Sequence, residues 1–153
     1  MKRNGQKYAH TAVGKAVTEL ILETFRFNGR LLAVGDDMTR DLGLSSARWQ
    51  VLGAIADGPL PVSYIARNMG LTRQSVQRVA DILAEEGIVE FAENLHHQRA
   101  KLVKLTKRGE EVYGKITRRQ INWSNQLAKG LSVRELNKAV QLMETLRKSL
   151  EKD

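Results

Sequence analysis

The stretch that decides the fold is residues 61–105, PVSYIARNMGLTRQSVQRVADILAEEGIVEFAENLHHQRAKLVKL. Pro61 suits the first turn of a helix, where its missing N–H costs nothing, and apolar residues follow it at helical spacing. Gly70 can adopt the left-handed conformation that ends a helix, and Thr72 can cap the helix that follows. Gly87 then ends this second helix. The sequence therefore predicts two short helices joined by a tight turn.

The second predicted helix has an apolar side and a polar side. Its inward stripe consists of Val76, Val79, Ala80 and Leu83. Four long polar side chains are left pointing outward in its first two turns: Arg73, Gln74, Gln77 and Arg78. This helix can thus pack on the first one and still offer a polar face to a partner.

Two strands with a basic loop between them follow this helix. Val89 and Phe91 alternate with polar or small residues, and a second alternating segment spans 101–105. The loop carries His96, His97 and Arg99. Between residues 94 and 108 there are five cations and no acid: Arg99, Lys101, Lys104, Lys107 and Arg108. Next to the paired helices, this run favours a phosphate-binding loop over an ordinary solvated surface.

These features together resemble the MarR (multiple antibiotic resistance regulator) family of winged-helix transcription factors. The segments that carry the resemblance are Val51-Leu52, 62–71, 72–83, 86–89 and 100–109. In one place the chain departs from the family pattern. The wing of such proteins usually carries Asp-x-Arg, whereas this chain reads His97-Gln98-Arg99. The arginine is present, but the acid that would orient it is replaced by a histidine.

The resemblance implies a mainly α-helical fold with a minor β component. We expect an N-terminal dimerisation helix region in 1–44, a winged helix-turn-helix in 45–108 and C-terminal dimerisation helices in 109–153. The bound partner would be double-stranded DNA with a near-palindromic operator, since a two-fold dimer binds two related half-sites.

Each candidate contact to DNA follows from side-chain chemistry. Glutamine pairs well with adenine and arginine with guanine in the major groove. We therefore predict the base readers to be Arg73, Gln74, Gln77 and Arg78. The wing should approach the minor groove with His97 and Arg99. A narrow minor groove has an enhanced negative potential, which attracts cationic side chains. The predicted backbone contacts are Thr72, Ser75, Lys101, Lys104 and Lys107.

Composition supports the same class of protein. The chain has 153 residues, enough for one core, with 25 Lys and Arg against 17 Asp and Glu and a net charge of +8. It contains no cysteine, which excludes disulfides and thiolate catalysis. The polar start MKRNGQKYAHTA predicts no secretory signal, and no apolar run approaches a membrane span. We expect a cytoplasmic protein.

The two flanks of the winged region predict how the chain dimerises. A helix is predicted over 11–32 and a break at Gly35-Asp36-Asp37, followed by a helix over 47–56. Ser132 and Glu135 form a capping box before the last helix. The predicted dimer interface consists of Val13, Val17, Leu20, Leu136, Val140, Met143, Leu146 and Leu150. The alternative is that these helices pack on each other within one subunit.

The resemblance also implies a small-molecule effector that releases a repressor from DNA. The expected pocket is apolar and suits a small aromatic or lipophilic molecule. Its predicted lining is Phe25, Arg48, Trp49 and Ile55. The alternative is an anionic effector, because Arg26, Arg30 and Arg48 lie nearby in sequence. We expect no metal and no cofactor, because His96 and His97 on one loop make a poor site without further ligands.

Two other classes of function are alternatives to DNA binding. One is a winged-helix module for protein–protein assembly without specific DNA binding, in which the basic loop is incidental. The other is an enzyme, which the lack of any acid, base and nucleophile constellation argues against.

Overall fold

A computed structural model describes residues 9–97 and 99–151 of the chain. The helices are α1 (Ala12–Thr39), α2 (Ser46–Ala54), α3 (Val62–Met69), α4 (Arg73–Glu85), α5 (Lys107–Leu127) and α6 (Val133–Leu150). The strands are β1 (Leu60–Pro61), β2 (Val89–Ala92) and β3 (Leu102–Leu105). The predicted mainly helical fold with a small sheet is thus confirmed. None of the helices described is long and apolar enough to cross a membrane.

The chain divides into two compact units, one ending at Tyr113 and the next beginning at Gly114. The first unit holds α1 to α4, the sheet and the start of α5, whereas the second holds the rest of α5 and α6. The predicted division into three regions stays a prediction, since its boundaries rest on function rather than on compactness.

The predicted break after the first helix is wrong, because α1 continues to Thr39. Gly35 sits inside the helix where it crosses α2, and a Cβ at this position would overlap the Ser46 hydroxyl. That hydroxyl donates to the Leu32 carbonyl at 2.7 Å, and the Ser46 N–H donates to Asp36 Oδ1 at 2.7 Å. The Gly-Asp-Asp segment therefore builds a close helix crossing instead of a turn.

The predicted pair of short helices is confirmed as α3 and α4. Gly70 ends α3 in the left-handed conformation, with φ 63°. Thr72 caps α4, its Oγ1 accepting from the Ser75 N–H at 3.1 Å. Pro61 lies just outside α3 as its N-cap residue and belongs to β1. The inward side chains Val76, Ala80 and Leu83 are fully buried, as the helical spacing predicts. Val79, the fourth residue of the predicted stripe, is half-buried.

The sheet is antiparallel with the order β1-β3-β2. Val89 pairs with Leu105 and Phe91 pairs with Val103, so the two predicted strands form a hairpin. The third strand, β1, pairs with the other edge of β3. Sequence reasoning missed β1, since a strand of two residues has no readable alternation. This sheet positions the loop between β2 and β3 beside α4.

The core of the structure is apolar and gathers around α2, α3, α4 and the sheet. Its buried side chains are Leu44, Val51, Leu52, Ile55, Ile65, Ala66, Val76, Ala80, Leu83, Ile88, Val89 and Val103. In the second unit, Ile116 is buried as well. The buried residues of α4 thus lie on the side of the helix that packs on the core, and its polar side chains lie on the exposed side.

The predicted capping box at α6 is confirmed. Ser132 Oγ accepts from the Glu135 N–H at 3.2 Å, and the Glu135 carboxylate accepts from the Ser132 N–H at 3.3 Å. The Ser132 hydroxyl also donates to that carboxylate at 2.7 Å. This side-chain hydrogen bond and the backbone one hold the pKa of Glu135 below its usual value.

Candidate nucleic-acid interface

The exposed face of α4 carries all four predicted base readers. Arg73, Gln74, Gln77 and Arg78 are exposed, and so are the predicted backbone residues Thr72 and Ser75. The Thr72 cap starts the helix just before Arg73, so the four readers occupy its first two turns. The N-terminal end of a helix also favours negative groups through its free N–H groups and its dipole.

A groove of about 630 Å³ separates α4 from the wing, the loop between β2 and β3. From the side of α4 it is lined by Arg73, Gln74 and Gln77, and from the side of the wing by Arg99 and Lys101. The structure therefore brings three of the predicted base readers together with two predicted wing cations. A groove with cations on both walls fits a polyanion better than a neutral ligand.

Arg78 lies on the opposite flank of α4, in a second groove of about 490 Å³. Gln74, Thr72 and Ser75 line this groove together with Arg48 of α2. The Arg48 guanidinium donates to the Glu86 carboxylate at 3.0 and 3.1 Å and to the Gly43 carbonyl at 2.7 Å. The structure thus places Arg48 beside predicted DNA contacts and ties α2 to the end of α4.

Local hydrogen bonds of the backbone and of the Asn94 side chain shape the wing tip. The His96 N–H donates to Asn94 Oδ1 at 3.1 Å, and the His97 N–H donates to the Asn94 carbonyl at 3.1 Å. The Ala100 N–H in turn donates to the His97 carbonyl at 2.9 Å. His97 and Arg99 are exposed. These turns include His97, which stands where the family pattern Asp-x-Arg has its aspartate.

The remaining predicted cations differ in their surroundings. Lys104 pairs with Glu90 on the neighbouring strand at 3.3 Å, and the two residues are register partners. Lys107, at the start of α5, is exposed, as is Lys101. Of these three, Lys101 is the one that lines the groove beside α4.

Sequence reasoning did not single out Asp81, which also lines the groove between α4 and the wing. Its Oδ1 accepts a hydrogen bond from Gln77 Nε2 at 2.8 Å. The signal was present in the spacing, because residues four apart on a helix are neighbours.

The four residues predicted for an effector pocket lie in different surroundings. Ile55 is buried and Trp49 is half-buried, whereas Phe25 is 70% exposed and lines a shallow groove along α1. Arg48 lines the groove beside Arg78 instead. Phe25 and Arg48 thus line different grooves, and the pocket stays a prediction.

The residues predicted for dimerisation leave much apolar surface uncovered. Val13 is 75% exposed on α1, and Val140 is 54% and Leu150 85% exposed on α6. Leu136 and Met143 are exposed as well, while the half-buried members of the set are Val17, Leu20 and Leu146. Exposed apolar side chains spaced along each of these helices are typical of an interaction site.

Comparison with known proteins agrees with this architecture. A family model described as the MarR family matches residues 42–100. Uncharacterised proteins of Mycobacterium tuberculosis and Mycobacterium bovis are 38% identical to this chain over 112 residues, which cover 73% of this chain and 78% of theirs.

Solved structures share the fold at low sequence identity. A MarR/EmrR family transcriptional regulator from Acinetobacter sp. ADP1 has a TM-score of 0.80 and 19% identity over 89% of this chain and 97% of its own. AbsC, a MarR family transcriptional regulator from Streptomyces coelicolor, has a TM-score of 0.78 and 13% identity over 96% of this chain and 100% of its own.

A third solved structure was determined with a ligand. CouR from Rhodococcus jostii RHA1, bound to p-coumaroyl-CoA, has a TM-score of 0.73 and 20% identity over 79% of this chain and 86% of its own. The family model, the relatives and the fold agree with the helix pair, the wing and the exposed polar face of α4. The chain therefore belongs to the MarR family and has the winged-helix fold of its transcriptional regulators.

Proposed function

We propose that the protein is a cytoplasmic, homodimeric repressor that binds a near-palindromic operator in double-stranded DNA and is released by a small-molecule effector. The observation that carries the proposal is the groove in which Arg73, Gln74 and Gln77 of α4 face Arg99 and Lys101 of the wing. In the proposed complex, α4 occupies the major groove of DNA, and the wing lies over the neighbouring backbone and minor groove.

The charge and shape of this face support DNA as the partner. The chain carries a net charge of +8, and the cations Arg73, Arg99 and Lys101 lie around one groove. The four side chains proposed to read bases are exposed, while the opposite side of α4 is buried. Base readers need this arrangement, since they must reach base edges while the helix stays fixed on its core.

Dimerisation is supported by the apolar surface of α1 and α6. Val13, Val140 and Leu150 are each more than half exposed. With a second copy of the chain as the occupant, the operator is expected to be near-palindromic, because a two-fold dimer presents two equivalent recognition helices.

An effector of aromatic or lipophilic character is supported by the likeness to CouR, whose structure holds p-coumaroyl-CoA. A molecule that binds the DNA-free form more tightly weakens the binding of DNA. By the same factor, DNA weakens the binding of that molecule. In this proposal the effector acts by that linkage, without any chemical step.

Selection of bound duplexes from a random library tests sequence-specific binding. We expect a near-palindrome whose half-sites lie one or two helical turns apart, about 34 to 36 Å per turn. Affinity for the selected duplex should fall with salt, because phosphate contacts release counterions. Binding to no duplex even at low salt would contradict the proposal and favour a protein–protein assembly module.

The effector is tested separately, by a thermal-shift screen of small aromatic acids, phenols and aromatic acyl-CoA esters. Each compound that raises the unfolding temperature is then added to the preformed protein–DNA complex. We expect such compounds to release the selected duplex. If stabilising compounds leave the complex intact, the protein is a DNA binder without effector control.

A further inference from the structure

The groove between α4 and the wing contains a charge of the wrong sign for DNA. Among its described lining residues, Asp81 is the one acid, and it stands with the cations Arg73, Arg99 and Lys101. A carboxylate near DNA repels the phosphates and the acceptor atoms of the bases. Its presence in the proposed DNA-binding groove therefore lowers the affinity for DNA in general, so its value would lie in the orientation of another contact.

Asp81 accepts a hydrogen bond from Gln77, one turn earlier on the same helix. Gln77 Nε2 donates to Asp81 Oδ1 at 2.8 Å, and both residues are exposed. An ionised carboxylate can only accept hydrogen bonds, whereas a glutamine amide has two N–H donors and one accepting oxygen. Asp81 therefore holds the NH₂ end of the amide and repels its oxygen, so Gln77 keeps one N–H and its oxygen free.

The free groups of Gln77 match one base better than the others. In the major groove adenine presents the acceptor N7 beside the N6–H donor, whereas guanine presents the two acceptors N7 and O6. One N–H and one oxygen complement adenine. Guanine would require both N–H groups of Gln77, one of which Asp81 holds, and would bring its acceptors towards a carboxylate.

We propose that Asp81 is a specificity-determining residue, which orients Gln77 to read adenine and disfavours guanine at the same position. The inference rests on the proposed DNA binding. It assigns the acid a role through Gln77 and requires no direct contact between Asp81 and DNA.

The test compares base preferences in duplex libraries bound by the wild-type protein, Asp81→Ala and Glu85→Ala. Glu85 is the matched control, because it is an exposed acid one turn further along α4 and its loss changes the net charge by the same amount. The same libraries are bound by Gln77→Ala and by the double variant Gln77→Ala, Asp81→Ala. Circular dichroism establishes that each variant is folded, as expected for alanine on an exposed helical face.

In the wild type we expect one symmetry-related pair of positions to favour adenine over guanine at least about fivefold, as a bidentate contact provides. In Asp81→Ala this ratio should fall below about twofold, while Glu85→Ala should keep it. Both variants should bind random duplex more tightly, since each loses a negative charge. In the Gln77→Ala background, removing Asp81 should leave the preference unchanged.

An Asp81→Ala protein with the wild-type adenine preference overturns the inference, and so does a loss of equal size in Glu85→Ala. These results leave the proposed function standing, because a sequence is still selected. A wild-type protein that selects no sequence overturns both together.

Discussion

Side chains on α4 and on the wing differ in how well they can discriminate between DNA sequences. Gln77 and Arg78 carry groups that complement particular base edges, whereas Lys101 offers a point charge at the rim of the groove. Contacts to bases discriminate between sequences, while contacts to phosphates add affinity to all of them.

Replacing Gln77 or Arg78 by alanine should therefore cost roughly 1–3 kcal/mol of binding free energy on the selected duplex and little on random DNA. Lys101→Ala should weaken binding to both duplexes alike and reduce the salt dependence by about one unit. Fluorescence anisotropy titrations at several salt concentrations measure both quantities.

The matched control for Lys101→Ala is Lys138→Ala, which removes an exposed lysine from α6. We expect it to leave the salt slope unchanged. Equal losses on all sequences for Gln77→Ala and Arg78→Ala would show that neither residue reads bases.

The polar face of α4 could be predicted because helical spacing alone separates Arg73 and Gln77 from Val76 and Ala80. The pairing of Arg48 with Glu86 could not, since it joins residues 38 positions apart that only the fold brings together. Local spacing predicts which side a residue takes, but not which distant residue it meets.

At the scale of an element, the crossing of α1 over α2 depends on the absence of one side chain. A Cβ at Gly35 would overlap the hydroxyl of Ser46, which itself donates to the Leu32 carbonyl. Gly29 lies in the same helix with nothing within 4 Å of the corresponding position. Gly35 is thus tightly packed, whereas Gly29 of the same helix has open space around it.

We expect Gly35→Ala to lower the free energy of unfolding by about 1–3 kcal/mol, because the added methyl group forces the two helices apart. Gly29→Ala is the control and should raise it by roughly 0.5–1 kcal/mol, since alanine favours the helix and meets no neighbour. Urea denaturation followed by circular dichroism gives both values. A Gly35→Ala protein as stable as the control would exclude close packing at this crossing.

The capping box of α6 should make the stability of the protein depend on pH in acid. Hydrogen bonds from Ser132 hold the pKa of Glu135 below its ordinary value of 4.5 in the folded chain. A depressed folded pKa means that the stabilisation is complete above the unfolded value and is lost as the pH falls through the folded value.

The unfolding temperature of the wild type should therefore exceed that of Glu135→Gln above pH 4.5 and approach it in stronger acid. Glu144→Gln, which changes an exposed acid of α6 outside the cap, is the control for general charge effects. A difference between the wild type and Glu135→Gln that persists unchanged in strong acid would show that the carboxylate charge does not stabilise the cap.

The elements themselves were largely predictable, with two instructive exceptions. The Gly35-Asp36-Asp37 segment has the composition of a turn, but it is helical where it packs against Ser46 and where Asp36 accepts from the Ser46 N–H. β1 exists because β3 offers it an edge, which no pattern in two residues can reveal. In both places a tertiary contact decides the local structure.

At the scale of the whole molecule, the apolar stripes of α1 and α6 remain open in a single chain. Val140 is 54% exposed and Leu146 half-buried on α6. We expect the double change Val140→Glu, Leu146→Glu to convert a dimer at micromolar concentration into a monomer or an unfolded chain, because four buried carboxylates per dimer are not tolerated. Sedimentation equilibrium together with circular dichroism distinguishes the two results.

Gln141→Glu is the control for the added charge, since Gln141 is exposed on the same helix. It should leave the dimer intact. A double variant that is folded and still dimeric would place the interface elsewhere.

The division of α4 into a buried and an exposed side has a consequence for the evolution of such a protein. Its fully buried residues Val76, Ala80 and Leu83 hold the fold together, whereas Arg73 and Gln77 are exposed. Substitutions at exposed positions usually change stability by no more than about 0.5 kcal/mol. After a gene duplication, one copy could thus drift towards a new operator through its surface alone, while its unchanged interior keeps every intermediate folded.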